Sequence, residues 1–210
     1  MNPKTEPRLV CVSGADASGK STQVDAVVRR LSGEGVRARA VGIWDALDDT
    51  DVVAALPFGS RSDVYAYLRV LSPRSRVHFL FHALHLALDL ARATSPEVIV
   101  LNAYWYKYFA TEVAHGGDMQ SMRLLAAGFP LPQLTFFLDI SAETALSRKV
   151  SRSDYESGYG DESAFLTFQR TSHAILGSLA DELDWVVLDG TRAPEELGRS
   201  ILAGIRAGVL

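Results

Sequence analysis

Apolar and polar residues follow two patterns that alternate along the chain. Short runs rich in Val, Ile, Leu and Phe, bounded by turn residues, are separated by longer segments in which apolar residues recur every three or four positions. The first pattern is typical of strands buried on both faces, and the second of helices that pack on a sheet. The apolar runs predict strands over residues 8–13, 37–44, 97–102, 134–140 and 184–189. The segments between them predict helices over residues 20–32, 62–70, 74–93, 104–114, 118–127, 142–149, 161–183 and 194–207.

Strands that alternate with helices in this way predict a parallel sheet covered by helices on both faces, a three-layer α/β/α fold. Two polar stretches that contain glycine, residues 45–61 and 151–160, are expected to be functional loops. In such a sheet ligands bind outside the carboxyl ends of the strands. Residues that follow the ends of the predicted strands are therefore the candidates for a site.

Residues 14–21 read Gly-Ala-Asp-Ala-Ser-Gly-Lys-Ser and directly follow the first predicted strand. They match the phosphate-loop pattern G-x-x-x-x-G-K-[ST], whose backbone N–H groups surround a chain of phosphates. Lys20 is expected to approach the β and γ phosphates, and Ser21 to bind Mg²⁺. The alternative is a Gly/Ser-rich turn without a ligand. The expected nucleotide-binding residues are Gly14, Ala15, Asp16, Ala17, Ser18, Gly19, Lys20, Ser21 and Thr22.

Length and composition narrow the class of protein. A chain of 210 residues can form one domain, residues 1–210, and its net charge of −4 gives no overall attraction to nucleic acid or to an anionic membrane. The single cysteine, Cys11, cannot form an internal disulfide, so a reducing cytoplasm is expected. The most apolar stretch, residues 77–91, is short and carries three histidines and Asp89, which favours a core helix over a membrane span. A small-molecule substrate is therefore expected.

The chain resembles the thymidylate kinases, within the wider group of P-loop nucleoside and nucleotide kinases. The resemblance rests on the phosphate loop followed by STQ, on LDISAETALSRKVSRSDYE near residues 138–156, and on WVVLDGTRAPEEL at residues 185–197. It implies the P-loop NTPase fold with a five-stranded parallel sheet, ATP and Mg²⁺ as cofactors, and a homodimer in which the apolar helix at 77–91 supplies the interface. It also implies a lid, near residues 148–162, that closes over ATP.

Two arginines of this lid, Arg148 and Arg152, are the catalytic candidates by resemblance, together with Lys20 of the phosphate loop. Phosphoryl transfer requires cations around the equatorial oxygens, and an arginine there is worth about 10³- to 10⁵-fold in rate. Members of the family that lack an arginine in the phosphate loop place it in the lid, which agrees with Ala17 at the fourth position of the loop. The alternative is a solvated helix end whose cations complement the helix dipole.

The resemblance assigns Asp16 to a sugar hydroxyl of the acceptor, with a local Asx-turn as the alternative. Asn102 ends the third strand, at the position where the family has an aspartate that helps to hold Mg²⁺, so it keeps an oxygen ligand and lacks the charge. The other family residues that grip a nucleoside monophosphate differ here. Trp44 and Asp45 replace an Arg-Glu-Pro sequence, Ala103 replaces an arginine, and His85 replaces another.

The remaining acceptor candidates are aromatic or basic. Phe81 matches the aromatic residue that stacks on thymine in the family, and Tyr104 and Lys107 lie just after the third strand. Each ring could instead belong to the core. The expected acceptor-binding residues are Asp16, Trp44, Phe81, His85, Tyr104 and Lys107.

His78, His82 and His85 fall on one helix face, where they could line the acceptor pocket, bind zinc or form buried hydrogen bonds.

Three functions remain open. The first is a kinase that uses MgATP to phosphorylate a nucleotide-like acceptor other than ordinary dTMP. The second is a dTMP kinase whose missing arginines are replaced from elsewhere, for example by Arg69, Arg74 or Arg76. The third is a nucleotide-binding regulatory protein that has no turnover.

Overall fold

In the computed structural model, residues 6–149, 155 and 161–210 are described. They form a five-stranded parallel sheet whose strand order is β2-β3-β1-β4-β5. The strands are β1 (Arg8–Gly14), β2 (Ala38–Val41), β3 (Val98–Asn102), β4 (Leu134–Asp139) and β5 (Val186–Asp189). The predicted P-loop α/β fold is therefore confirmed.

Helices connect these strands and lie on both faces of the sheet. They are α1 (Lys20–Gly33), α2 (Thr50–Ala55), α3 (Arg61–Val70), α4 (Pro73–Ala93), α5 (Tyr104–Ala114), α6 (Met119–Ala126), α7 (Ala142–Arg148), α8 (Glu162–Glu182) and α9 (Pro194–Gly208). None of the helices in the described parts of the chain is both long enough and apolar enough to cross a membrane.

The side chains of β1 divide the core into two layers. Leu9 and Cys11 point to the layer that holds α4, α5, α6 and α8, whereas Val10 and Val12 point to the layer that holds α1 and α9. Successive strand residues face opposite sides, so a strand between two helical layers must be apolar at every position. The position of β1 between two helical layers therefore explains the unbroken apolar run at residues 9–12.

Two predicted elements differ from the structure. The expected loop at residues 45–61 contains a short 3₁₀ helix, Asp45–Asp48, and then α2. The Asp49 side chain accepts hydrogen bonds from the backbone N–H groups of Asp51 and Val52 and so supports the first turn of α2. The second strand ends at Val41 instead of residue 44, because the chain turns into the 3₁₀ helix.

A buried ion pair joins α4 to α5. The Nε atom of Arg76 donates to both carboxylate oxygens of Glu112 at 3.0 Å, and the side chains are 5% and 0% exposed. Burial raises the pKa of the Glu112 carboxyl, and the nearby Arg76 charge opposes that rise. A buried pair of this kind adds little stability in itself, but either charge left alone is costly.

We expect Glu112→Leu to lower the free energy of unfolding by about 3 to 5 kcal/mol, because the variant leaves a buried guanidinium without its carboxylate. Adding Arg76→Met should recover most of this loss, since both charges are then gone. Urea denaturation of the two single variants and of the double variant measures the coupling. A double variant whose loss equals the sum of the single losses would contradict the interpretation of Arg76 and Glu112 as a coupled pair.

Candidate active site

The phosphate loop runs from the end of β1 to the start of α1, and close packing fixes its shape. At Gly14, where φ is +149°, a Cβ atom would lie 2.7 Å from Ser18 Oγ and 2.8 Å from the backbone oxygen of Leu138. Only glycine fits such an approach to backbone in this conformation. Gly19, which precedes α1, also has a positive φ of 93°. The predicted loop residues therefore form a curled cradle at the amino end of a 14-residue helix, an arrangement that favours a phosphate anion.

Lys20 lies inside this cradle. The residue is only 7% exposed, and its Nζ atom donates to the backbone oxygen of Ala15 at 2.5 Å. The ammonium group therefore points to the inside of the loop, where phosphate oxygens bind in proteins with this motif.

Ser21 and Asn102 meet at the edge of the loop. Parallel pairing sets Asn102 beside Val12, at the carboxyl end of β3, and its Nδ2 donates to Ser21 Oγ at 3.0 Å. The hydroxyl oxygen of Ser21 and the Oδ1 atom of Asn102, the amide oxygen that does not contact Ser21, are oxygen donors of the kind that Mg²⁺ prefers. The residues present thus fit the metal, although Asn102 contributes no negative charge.

Asp16 forms an ion pair with Lys107, which lies on α5. Nζ of Lys107 and Oδ1 of Asp16 are 2.5 Å apart, and the two side chains are 17% and 12% exposed. Burial works against the charged form of Asp16, but the ammonium groups of Lys107, Lys20 and Lys149 outweigh it and lower the pKa of the carboxyl. A carboxylate inside an anion-binding loop is therefore neutralised by a cation from another element.

The chain turns sharply between β3 and α5. Ala103 and Tyr104 have positive φ values of 69° and 56°, which residues with a side chain adopt at a cost of about 1 to 3 kcal/mol each. The N–H of Ala103 donates to the Val12 oxygen at 2.9 Å and ties the turn to β1. This strained turn directs the first turn of α5, with Lys107, toward the phosphate loop.

A cavity of about 480 Å³ extends from the phosphate loop toward α3 and α5. Its volume lies within the range of roughly 300 to 1,000 Å³ that is usual for small-molecule sites. Of the predicted site residues, the cavity brings together Asp16, Ala17, Gly19, Lys20, Ser21, Thr22, Trp44, Asn102, Lys107 and Arg148.

Three predicted acceptor residues do not reach this cavity. Phe81 is 4% exposed and packs edge-on against Phe129, and the His85 ring stacks on Phe129 with the ring centroids 3.9 Å apart. Tyr104 is 1% exposed, and its hydroxyl donates to the Pro130 oxygen at 3.1 Å. The physical reason is that Phe129 fills the space between α4 and α5 and draws these rings into the core.

Other residues that were not predicted line the cavity instead, namely Arg61, Tyr65 and Tyr108. Arg61 and Tyr65 are four residues apart on α3, so both point to one side of that helix. Arg61 ends the stretch that was expected to be a functional loop, and Tyr65 lies four residues later, which was the available signal. Tyr108 stands beside Lys107, but the orientation of α5 that exposes it to the cavity depends on the turn at Ala103.

The histidines of α4 do not meet at one point. His78 and His82 are exposed, whereas His85 stacks on Phe129. Among the described residues no group of three His, Cys, Asp or Glu side chains is arranged to hold a metal ion.

Arg148 ends α7 and lines the cavity, and its Nη1 donates to the Gly190 oxygen at 3.0 Å. This bond links α7 to the loop after β5. The second predicted lid arginine, Arg152, lies outside the described residues, as does most of the expected lid.

The close packing around Gly14 predicts that a side chain at this position disturbs the phosphate loop. Gly14→Ala should lower thermal stability and weaken binding of MgADP by more than about tenfold, because the new methyl group would collide with Ser18 and Leu138 and open the loop. Gly33→Ala is the matched control, since nothing lies within 4 Å of its added Cβ at the end of α1. Calorimetric titration with MgADP measures the difference, and equal affinities of the two variants would contradict it.

Comparison with known proteins agrees with the motifs and the fold. No family model matches the chain. A thymidylate kinase of Caenorhabditis elegans is 27% identical over 188 residues, which cover 84% of this chain and 80% of that protein. A thymidylate kinase of Schizosaccharomyces pombe is 24% identical over 96% of this chain and 93% of its own length, and one of Chlorobaculum parvum is 25% identical over 95% of each. Together with the phosphate loop, these similarities to thymidylate kinases over most of the chain support a thymidylate kinase-like family.

Proposed function

We propose that this kinase transfers the γ-phosphoryl group of MgATP to a nucleotide or nucleotide-like small acceptor other than ordinary dTMP. The observation that carries the proposal is the single cavity in which the phosphate loop faces a second group of basic and aromatic side chains, Arg61, Lys107, Trp44, Tyr65 and Tyr108. At one end, the phosphate loop can bind a polyphosphate. At the other end, the basic and aromatic side chains can bind a planar, anionic acceptor.

The donor half of the reaction needs positioning and positive charge. An oxygen of the acceptor attacks the γ-phosphorus, a bond forms between them, and the bond from the γ-phosphorus to the β,γ-bridging oxygen breaks as ADP leaves. The loop amides and Lys20 hold the phosphates in line. Ser21 and Asn102 would hold Mg²⁺, which would supply neutralisation of charge on the phosphate oxygens. Arg148 approaches from α7 and, with Arg152, supplies cations to the equatorial oxygens of the transferring group.

The acceptor half relies on side chains outside the family pattern. Arg61 carries an exposed guanidinium whose contact with Asp48, at 3.4 Å, is long enough to be exchanged for a phosphate. The ring of Trp44 meets Tyr65 edge-on at 6.3 Å between centroids, so the two offer an aromatic wall for a planar group. Asp16 and Lys107 supply an acceptor and a donor for hydroxyl groups of the ligand.

Ordinary dTMP is the second candidate, and the names of the relatives favour it. It requires that other cations replace the missing arginines. Arg76 is committed to Glu112, Arg74 lines a different cavity, and Arg69 is not among the residues that line this one. Arg61 and Lys107 are therefore the side chains that would have to replace the missing arginines.

The expected homodimer through α4 stays a prediction. The apolar side chains of α4 pack inside the chain, and its exposed positions include Arg74, His78, His82 and Asp89. A dimer through this face would be a polar one.

The purified protein should release ADP from MgATP only when a suitable acceptor is present, and Lys20→Ala should abolish this release because it removes the charge that faces the β and γ phosphates. A coupled ADP assay over a panel of nucleoside monophosphates, including dTMP, measures both effects. Turnover of dTMP with a kcat/KM of about 10⁵ M⁻¹s⁻¹ or more would refute the acceptor assignment. Tight MgATP binding without transfer to any member of a broad panel would refute the proposed kinase reaction.

Arg61→Ala should raise the KM of the acceptor about 10- to 100-fold and change the KM of ATP little, because a charged hydrogen bond to the acceptor is lost. Arg69→Ala is the matched control, since it removes an arginine from the same helix but not from the cavity. Steady-state kinetics with each substrate varied in turn separates the two constants. Equal effects of the two variants would remove Arg61 from the acceptor site.

A further inference from the structure

Asp16 is the one acidic residue of the phosphate loop, residues 14–22. A carboxylate in such a loop repels the phosphate chain that the backbone N–H groups and Lys20 attract. The Asp16 side chain is only 12% exposed, so water and salt screen little of its charge. The loop can therefore bind an anion well only if a cation of the protein compensates this carboxylate.

Three ammonium groups act on Asp16, and Lys107 has the strongest influence. Burial raises the pKa of the Asp16 carboxyl, whereas the charges of Lys107, Lys20 and Lys149, in that order of size, lower it. Lys107 also contacts the carboxylate directly, with Nζ 2.5 Å from Oδ1. Without Lys107, Lys20 would exert the largest remaining attraction on Asp16. The carboxylate would then compete with the nucleotide phosphates for Lys20.

Lys107 reaches Asp16 from an element that is tied to the same strand as the loop. α5 begins directly after Ala103, whose N–H donates to the Val12 oxygen of β1 at 2.9 Å. β1 leads into the phosphate loop, so the loop and the first turns of α5 share one support. The Lys107 ammonium also stands 5.9 Å from the centre of the Tyr108 ring, a distance at which a ring attracts a cation.

Stability alone explains this ion pair poorly. A largely buried pair of charges is often no more stabilising than neutral residues of equal volume. Asparagine at position 16 could support the same local turn without a charge, because Asn and Asp side chains bond to the backbone in the same way. The proposed function, in contrast, gives Asp16 a task, since its carboxylate accepts a hydrogen bond from a hydroxyl of the ligand. A neighbouring cation is what such a loop needs in order to carry a carboxylate and still bind an anion.

We propose that Lys107 is a positioning residue for nucleotide binding, which neutralises Asp16 from α5 and so keeps Lys20 directed to the nucleotide phosphates. This role rests on the proposed function, because the nucleotide is assigned to the loop there. It makes the two partners unequal. Loss of the cation should weaken nucleotide binding, whereas loss of the anion should not. A pair that only supported the fold would affect binding in the same direction from either side.

Calorimetric titration with MgADP, without an acceptor, measures this difference. MgADP alone is the suitable probe because Lys107 also lines the part of the cavity assigned to the acceptor. Lys107→Met should weaken MgADP binding about 10- to 100-fold, because an uncompensated carboxylate then faces the phosphates. Asp16→Asn should bind MgADP at least as tightly as the wild type. Equal affinities of wild type and Lys107→Met, or an equal loss in both single variants, would overturn the proposal.

The double variant, Lys107→Met with Asp16→Asn, tests whether Lys107 acts through Asp16. It should bind MgADP within about threefold of the wild type, because the repelling charge is gone together with its partner. A double variant that binds as weakly as Lys107→Met would overturn the proposal. The matched control is Arg123→Met, which removes one positive charge and breaks an ion pair with Glu182 away from the cavity. It should leave the MgADP affinity unchanged.

A second pair of variants covers the case in which Lys107→Met does not fold. Lys107→Gln can still donate a hydrogen bond to Asp16 but carries no charge, so it should also weaken MgADP binding about 10-fold or more. Lys107→Arg keeps the charge and should bind MgADP more tightly than Lys107→Gln. A Lys107→Gln protein with wild-type affinity, or a Lys107→Arg protein that binds no better than Lys107→Gln, would overturn the proposal.

The proposed transfer and the role of Lys107 fail on different observations. If the wild type binds MgADP but releases no ADP from MgATP with any acceptor, the proposed transfer fails. The MgADP affinities of the variants then still decide the role of Lys107. If the wild type phosphorylates an acceptor and Lys107→Met keeps its MgADP affinity, the transfer stands and the role of Lys107 is refuted.

Discussion

The parallel pairing of β1 between β3 and β4 is the constraint on which the site depends. Val12 lies beside Asn102, and Gly14 lies beside Leu138, so the carboxyl ends of three strands meet at one edge. The phosphate loop leaves the middle strand of this group and packs against its neighbour at Gly14. The contact between Ser21 and Asn102, the cradle and the strained turn into α5 all take their positions from this register.

The two ends of the cavity are built in different ways. The phosphate-loop end is lined by one segment of the chain, within residues 16–22, whose curled backbone favours an anion. The opposite end is assembled from side chains on α3, on α5 and on the stretch between β2 and α2. The ion pair between Asp16 and Lys107 is where the two ends touch.

Much of the fold could be predicted because it depends on local patterns. All five strands and the P-loop architecture follow from apolar runs and one motif, since a doubly buried strand can contain few polar residues. The acceptor site could not be predicted to the same extent. Phe81 and Tyr104 are aromatic residues near the right strand ends, but Phe129 holds both in the core. A ring looks the same in a sequence whether it faces a ligand or a neighbouring helix.

The sequence by itself predicted the phosphate loop, a Gly-rich loop with Lys20 and Ser21 after a buried strand. Such a loop could be predicted because backbone N–H groups and a helix end form an anion-binding arrangement locally. Only the tertiary structure decided which side chains face that loop. Arg61, Tyr65 and Lys107 line the cavity beside it through the orientations of α3 and α5. These contacts depend on how distant elements pack, and the spacing of residues along the chain carries no direct record of that packing.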